Sequence, residues 1–227
     1  MTETVSILGG TGNLGFGLAV RLGLAGYAVC VGSRDAERAE EAAGRAADLV
    51  PGAAFAGHTN ADAVGAADRL VVLTVPFASQ VATLKGIADH WRPGQVALDA
   101  TVPLATAAGG RPTQLLQPWQ GSAAQQARAG IPAEVGLVSG LHTISAASLL
   151  DLEHGLDQDT LLCGDDRAAK ALVAEVLDGI DGLRTVDAGP LAASRLVEGI
   201  TPLLIGINIR HRTHAGIRLT NLGGPHR

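Results

Sequence analysis

The sequence predicts an α/β fold: a Rossmann-type, doubly wound parallel sheet with helices on both faces, followed by a smaller C-terminal α/β domain. Three observations predict it. Short apolar runs alternate with helix-periodic stretches through the first hundred residues, the pattern of repeated βα units. The run Gly10-Thr11-Gly12-Asn13-Leu14-Gly15 has G-x-G-x-x-G spacing between a strand pattern and a helix pattern, the context in which that spacing carries meaning. RLVVLTV (69–75) is apolar without alternation, as a strand covered on both faces must be.

In order, residues 5–9 form a first strand. A helix over 13–24 places Leu14, Leu18 and Leu22 on one stripe and ends before Gly26. A second strand covers 28–32. Asp35 is placed to cap an alanine-rich helix over 35–49, with Pro51 beyond its end. A weaker strand over 53–58 and the buried strand 69–75 follow, then a helix over 77–91 and a strand over 95–100. Residues 106–121, rich in Gly, Pro and Gln, form a loop leading into a short helix at 122–129. GLVSGLHTIS (136–145) reads as a strand entering a loop. Strands at 160–163 and 183–187 enclose a helix at 168–177, and a long apolar helix covers 191–208. The domain boundary is placed so that residues 1–135 form the dinucleotide domain and 136–227 the smaller unit.

Composition narrows the function. At 227 residues and 47% hydrophobic, the chain supports a packed core. Net charge −5 offers no basic face for nucleic acid or an anionic membrane, and 3% aromatics leave few platforms for stacking bases. No membrane-length apolar run and no leader pattern are read, so a soluble, cytoplasmic protein is expected. Cys30 and Cys163, far apart in strand-like runs, are expected to be reduced, buried thiols.

Each glycine of the fingerprint has an expected task. Gly10 permits the tight turn, Gly12 lets backbone approach a pyrophosphate, and Gly15 lets the helix sit close to the sheet. The helix N-terminus then presents unpaired N–H groups to phosphate charge. The plainer alternative is a turn that only joins strand to helix. At the end of the second strand an NAD site carries an acid for the ribose hydroxyl. Here Ser33 and Arg34 stand, with Arg38 one turn on, on the same helical face. A hydroxyl and two guanidinium forks suit a 2′-phosphate, so NADP is expected.

Several chemistries lack their residues. Tyr27 is the lone tyrosine and Val31, not lysine, follows four later, so the Tyr–Lys pair of short-chain dehydrogenases is missing. The two lysines, Lys85 and Lys170, read as helix-surface positions. There is no Cys/His metal spacing and no nucleophile elbow. Without a proton-transfer pair, the reaction implied is one that needs chiefly juxtaposition, such as hydride transfer between two cofactors.

Seven motifs, in order, carry a resemblance: ILGGTGNLG (7–15), VCVGSR (29–34), LTVP (73–76), LHTI (141–144), CGDD (163–166), DAGPL (187–191) and RLVE-x-x-TPLL (195–204). From Val5 to about Ile209 the chain resembles the NADP-dependent oxidoreductases of coenzyme F420, the 8-hydroxy-5-deazaflavin hydride carrier. The resemblance implies a homodimer and reversible hydride transfer between nicotinamide C4 and deazaflavin C5. It implies that Thr11, Gly12, Asn13 and Leu14 hold the pyrophosphate, and that Ser33, Arg34 and Arg38 take the 2′-phosphate. Val75, Phe77 and Val81 fall on the adenosine or nicotinamide side, Val102 and Ala146 line the nicotinamide, and His142 and Ile144 contact the deazaflavin. Small residues such as Gly140 and Ala146 leave room for stacked rings. His142 is read as a donor to the deazaflavin edge, with a satisfied turn histidine as the alternative. Ser145 and Gly140 depart from the proline and alanine common in the family, as does the tail after Ile209. The rival readings are an NADP-dependent reductase of an imine, flavin or ferric chelate, and a non-catalytic NADP-sensing module.

Three weaker features remain open. Asp165 and Asp166 read as helix caps rather than a metal site. The stripe with Leu196, Leu203 and Leu204 belongs to core, dimer interface or both. The basic segment with Arg210, His211, Arg212, His214 and Arg218 reads as a solvated tail, with attraction of the coenzyme's phosphate or polyglutamate tail as the alternative.

Overall fold

The apolar runs assemble into one eight-stranded sheet in the computed structural model, which describes residues 2–222. The chain order is β1 (Thr4–Leu8), α1 (Asn13–Leu24), β2 (Ala28–Ser33), α2 (Ala36–Leu49), β3 (Phe55–Thr59), α3 (Asn60–Ala66), β4 (Leu70–Leu73), α4 (Phe77–Gly86), β5 (Val96–Asp99), α5 (Ala123–Arg128), β6 (Gly136–Ser139), α6 (Ala146–Leu150), β7 (Gln158–Cys163), α7 (Arg167–Leu177), β8 (Leu183–Gly189), α8 (Ser194–Glu198) and α9 (Ile200–His211). The strand order is β3-β2-β1-β4-β5-β6-β7-β8. From β3 to β6 all neighbours are parallel, and β7 joins β6 antiparallel through the single pair Ser139–Cys163. The expected boundary at 135/136 thus falls just before β6, which pairs with the parallel half, and β7 and β8 extend the same sheet.

Strand alternation sorts the core into two layers. Val5, Ile7, Val29, Val31, Leu70 and Val72 pack with residues of α1, α2 and α7. Leu8, Cys30, Val71, Leu73 and Ala97 pack on the other face with residues of α3, α4 and α5. Both faces are covered, which is why these strands show no polar alternation. Strand order reverses between β1 and β4, and a crevice beyond the carboxyl ends of such strands is where α/β sheets bind ligands.

Local signals account for most helix ends. Asp35 caps α2, accepting from Glu37 N at 3.1 Å, and Asp166 caps α7, accepting from Ala168 N at 2.7 Å. Asp165 accepts from Leu191 N at 3.0 Å, so both acids of that pair serve the backbone. The unforeseen helix α3 starts at Thr59, whose hydroxyl accepts from Asp62 N at 3.2 Å.

Two expected helices are shorter. α4 ends at Gly86, ahead of a 3-10 turn over Ala88–His90. The helix expected over 191–208 is a 3-10 turn (Leu191–Ala193), α8 and α9, interrupted at Gly199. Pro202 has no N–H to offer the carbonyl of residue 198, which breaks the ladder there. Taken end to end, Leu191–His211 is long and apolar enough to cross a bilayer by length and composition alone, a test that a core helix of a soluble protein also passes. Leu191, Val197 and Leu204 are buried and seat it against the body.

Cys30 and Cys163 are free and buried, as expected. The basic segment runs back along the body: Asp159 N donates to Ile217 O at 2.8 Å, and Arg218 pairs with Asp157. Arg218 is thus paired within the chain while its side chain stays exposed to solvent, as expected of this segment.

Candidate dinucleotide cleft

A cleft of about 760 Å³ opens beyond the carboxyl ends of β1, β2, β4 and β5. That volume lies within the range of small-molecule sites. Its floor starts where β1 ends. Gly9, not Gly10, takes the left-handed conformation, with φ +74°. This corrects the expected role of Gly10, whose lack of a side chain instead permits close packing: a Cβ there would lie 2.9 Å from Ile7 O and from Val31 Cγ1. Gly10 N donates to Gly32 O at 2.9 Å, tying the turn to β2. A Cβ at Gly15 would lie 2.5 Å from Thr74 Oγ1 and 2.8 Å from Gly10 Cα, so α1 approaches the turn only because that residue is glycine.

α1 begins at Gly12, which is extended and brings no side-chain cap. Phe16 N is the first to close an intrahelical bond, to Gly12 O at 2.8 Å. The N–H groups of Asn13 and Leu14 precede that bond, at a helix end where unpaired donors and the positive dipole end favour an anion. Thr11, Gly12, Asn13 and Leu14 all line the cleft.

Ser33, Arg34 and Arg38 line the same cleft at its β2 end. Ser33 is buried, and its Oγ accepts from Asp35 N at 3.3 Å. Arg34 and Arg38 are exposed. Arg38 Nε lies 3.8 Å from Asp35 Oδ2. An exposed ion pair of that length holds the guanidinium weakly and leaves it available to a stronger anion.

The opposite wall combines Val75, Pro76, Phe77 and Ser79 with Thr101, Val102, Leu104 and, from α9, Thr201. Behind it lies a buried polar network. Gln80 Nε2 donates to Asp99 Oδ2 at 2.9 Å, to Thr101 Oγ1 at 2.6 Å and to Ala123 O at 3.0 Å. Thr101 N and Oγ1 each donate to the Asp99 carboxylate at 3.0 Å. Glu198 accepts from Ala123 N at 2.9 Å and Ala124 N at 3.1 Å. Burial pushes the Asp99 carboxyl up to about 6, against the hydrogen bonds from Thr101 and Gln80. Burial pushes Glu198 up to about 7, opposed by its two backbone N–H bonds and assisted by the nearby Asp99 charge.

His142 sits just behind this wall. Its carbonyl accepts from the Thr201 hydroxyl at 2.8 Å. It is 5% exposed, and neither ring nitrogen has a hydrogen-bond partner among the described residues. Burial pushes its pKa down to about 4, the Thr101 backbone acting in the opposite sense, so the ring is neutral at pH 7. It follows Leu141, a non-glycine residue at φ +66°, held by the bond from Leu141 N to Thr160 Oγ1 at 2.8 Å. A buried leucine in that region is strained, and such strain gathers at functional sites.

Of the residues expected in the site, Thr11, Gly12, Asn13, Leu14, Ser33, Arg34, Arg38, Val75, Phe77 and Val102 line the cleft. Val81 lies one turn past Phe77 on α4, 58% exposed and outside the lining. Ile144 packs in the apolar core, and Ala146 begins α6, whose backbone lies against Gly17 of α1. Gly140 does not leave room for a ligand: its missing Cβ faces Leu162 and Leu98 in the core. Sequence reasoning missed Asn60, Gln80, Asp99, Thr101, Glu198 and Thr201. For the last two, the RLVE-x-x-TPLL motif was a signal. Lys170 is committed to Asp187 at 2.6 Å. Among the described residues no cluster of three His, Cys, Asp or Glu side chains forms a metal site.

Residues 4–103 match the family model described as NADP oxidoreductase, coenzyme F420-dependent. The F420-dependent NADP reductase of Methanothermobacter thermautotrophicus is 42% identical, the match covering 98% of this chain and 97% of that one. That of Methanocaldococcus jannaschii is 41% identical, covering 96% and 98%. A crystal structure of a candidate F420-dependent NADP reductase from Arthrobacter sp. superposes with a TM-score of 0.77 at 26% identity, covering 94% of this chain and 96% of that one. With identity at this level running through nearly the full length of both archaeal chains, this protein belongs to the family of F420-dependent NADP reductases.

Proposed function

We propose that the protein catalyses reversible hydride transfer between NADP(H) and coenzyme F420, with the nicotinamide C4 stacked on the deazaflavin C5 at the inner end of the cleft. The observation that carries this reading is the sharing of one cleft by the open N-terminus of α1 and the Ser33-Arg34-Arg38 cluster. The first suits a pyrophosphate, the second a 2′-phosphate, and no carboxylate replaces the serine at the end of β2.

Thr11, Gly12, Asn13 and Leu14 hold the pyrophosphate, while Val75, Phe77 and Val102 wall the rest of the dinucleotide. Each redox partner supplies its own two-electron chemistry when bound, so the protein contributes position and exclusion of water. His142 donates from its neutral ring to the polar edge of the deazaflavin. Its two orphaned ring nitrogens support this, because buried polar groups are ordinarily partnered. A ring whose pKa is near 4 serves as a hydrogen-bond donor rather than a proton source at neutral pH. Residues 1–135 bind NADP, and 136–227 supply the deazaflavin pocket and the contacts of a cytoplasmic homodimer. The exposed Leu196, Leu203 and Ile209 of α8 and α9 support that interface.

The test is spectroscopic. Purified enzyme mixed anaerobically with NADPH and coenzyme F420 bleaches the deazaflavin absorbance, and NADH does so far more slowly. Bleaching that needs no enzyme, or turnover of a cyclic imine without any deazaflavin reaction, overturns the assignment.

A further inference from the structure

We infer that Glu198 is a positioning residue for the second substrate, fixing the part of the inner wall that Thr201 contributes from α9 relative to the part that Thr101 contributes. The inference rests on the reading above that the deazaflavin enters at this end. Glu198 is 1% exposed, and both carboxylate oxygens accept backbone N–H groups at the start of α5. Ala123, which donates to Glu198, also accepts from Gln80 through its carbonyl, and Gln80 in turn binds Thr101. One unbroken line of hydrogen bonds therefore joins α8 to the end of β5. Its two ends sit beside the cleft: Thr101 lines the inner wall, and Thr201, three residues beyond Glu198, lines the same wall from α9.

The make-up of the line separates it from ordinary packing. Two acids, Asp99 and Glu198, are buried in it, and neither has a salt-bridge partner among the described residues. Buried carboxylates without a countercharge cost stability, and well-packed apolar residues would serve a pure scaffold better. What the acid supplies is direction. Two acceptors on one rigid group fix α8 relative to α5 in a way an apolar contact does not. Thr201 carries that position to the ligand side, because its hydroxyl also holds the backbone of His142.

The experiment uses full-length Glu198→Ala and Glu198→Gln enzyme. NADPH and coenzyme F420 are varied independently, and NADPH affinity is measured alone by fluorescence titration. Removing both backbone N–H bonds to the carboxyl group is expected to raise the KM for coenzyme F420 at least about tenfold in E198A. The dissociation constant for NADPH, set at the far end of the cleft, should move less than about twofold. E198Q, which keeps one acceptor, should fall between wild type and E198A. If E198A does not fold, E198Q carries the test. An unchanged KM for coenzyme F420, or a parallel loss of both affinities with thermal stability, overturns the inference. Wild-type enzyme that fails to turn over coenzyme F420 would instead overturn the placement on which it rests.

Discussion

The two ends of the cleft are built by opposite means. At the end proposed to take the phosphates, Thr11, Gly12, Ser33, Arg34 and Arg38 come from two strand-to-helix turns, and each turn is contiguous in sequence. The arginines are exposed and weakly held. At the inner end, Thr101, Gln80, Glu198 and His142 come from four distant segments and are buried almost completely. Charge offered at an exposed rim needs little support. A surface proposed to hold two rings in register needs a scaffold, and here that scaffold is polar and deep.

The largest effect should come from removing the rim charge. Arg34→Ala with Arg38→Ala deletes charge-assisted bonds of about 1.5–3 kcal/mol each. The KM for NADPH should rise at least a hundredfold, while the KM for coenzyme F420 and kcat stay within a few fold. Equal damage to NADH use would break the contrast, since NADH has no 2′-phosphate for the pair to meet.

Next comes the turn proposed to lie beneath the pyrophosphate. Gly15→Ala forces a methyl against Thr74 Oγ1 and two backbone atoms that have little room to move. Overpacking of this kind costs about 1–3 kcal/mol. On the proposed reading the turn carries the phosphate donors, so NADPH affinity should fall along with thermal stability, both measurable by denaturation with and without NADPH. Gly26→Ala, which has a positive φ but open space around it, should cost stability without touching affinity.

Legibility followed the same division. The first turn, the arginine pair, the caps at Asp35 and Asp166 and the alternation of strands with helices rest on residues within a few positions of one another. Periodicity and spacing can express that. The Gln80–Asp99–Glu198 line cannot be read so, because it joins residues 19 to 75 positions apart and its meaning lies in burial. Gly140 misled for the same reason: its small size serves Leu98 and Leu162, not a ligand. The kink at Gly199 was legible in Pro202 but was overridden by the apolar stripe.

The buried acids sharpen the contrast through pH. Glu198 and Asp99 keep their protons in the folded state up to about 7 and 6, where the unfolded chain has released them. Their contribution to stability is therefore complete below about pH 4 and is lost as pH rises towards 7. His142, held neutral down to about 4, acts oppositely: its contribution is present above 6.5 and lost as pH falls. Comparing wild type with E198Q isolates the glutamate. The stability of wild type relative to E198Q should decline between pH 5 and pH 8, by on the order of 2–3 kcal/mol. A difference independent of pH, read from denaturation midpoints, would mean that Glu198 titrates as an ordinary surface acid.

The smallest effect is expected at Asp35, where cap and charge can be separated. Asparagine caps a helix about as well as aspartate, so Asp35→Asn should leave stability within about 0.5 kcal/mol of wild type, whereas Asp35→Ala should lose about 1 kcal/mol. The exposed pair with Arg38 contributes little of its own. Yet Asp35 also lines the cleft, where its carboxylate repels a phosphate and competes for the arginine. Asp35→Asn should therefore lower the KM for NADPH by about twofold and leave that for NADH unchanged. A rise in the NADPH value would mean that the carboxylate orients Arg38 towards the phosphate, and the rim would then need the same kind of support as the inner wall.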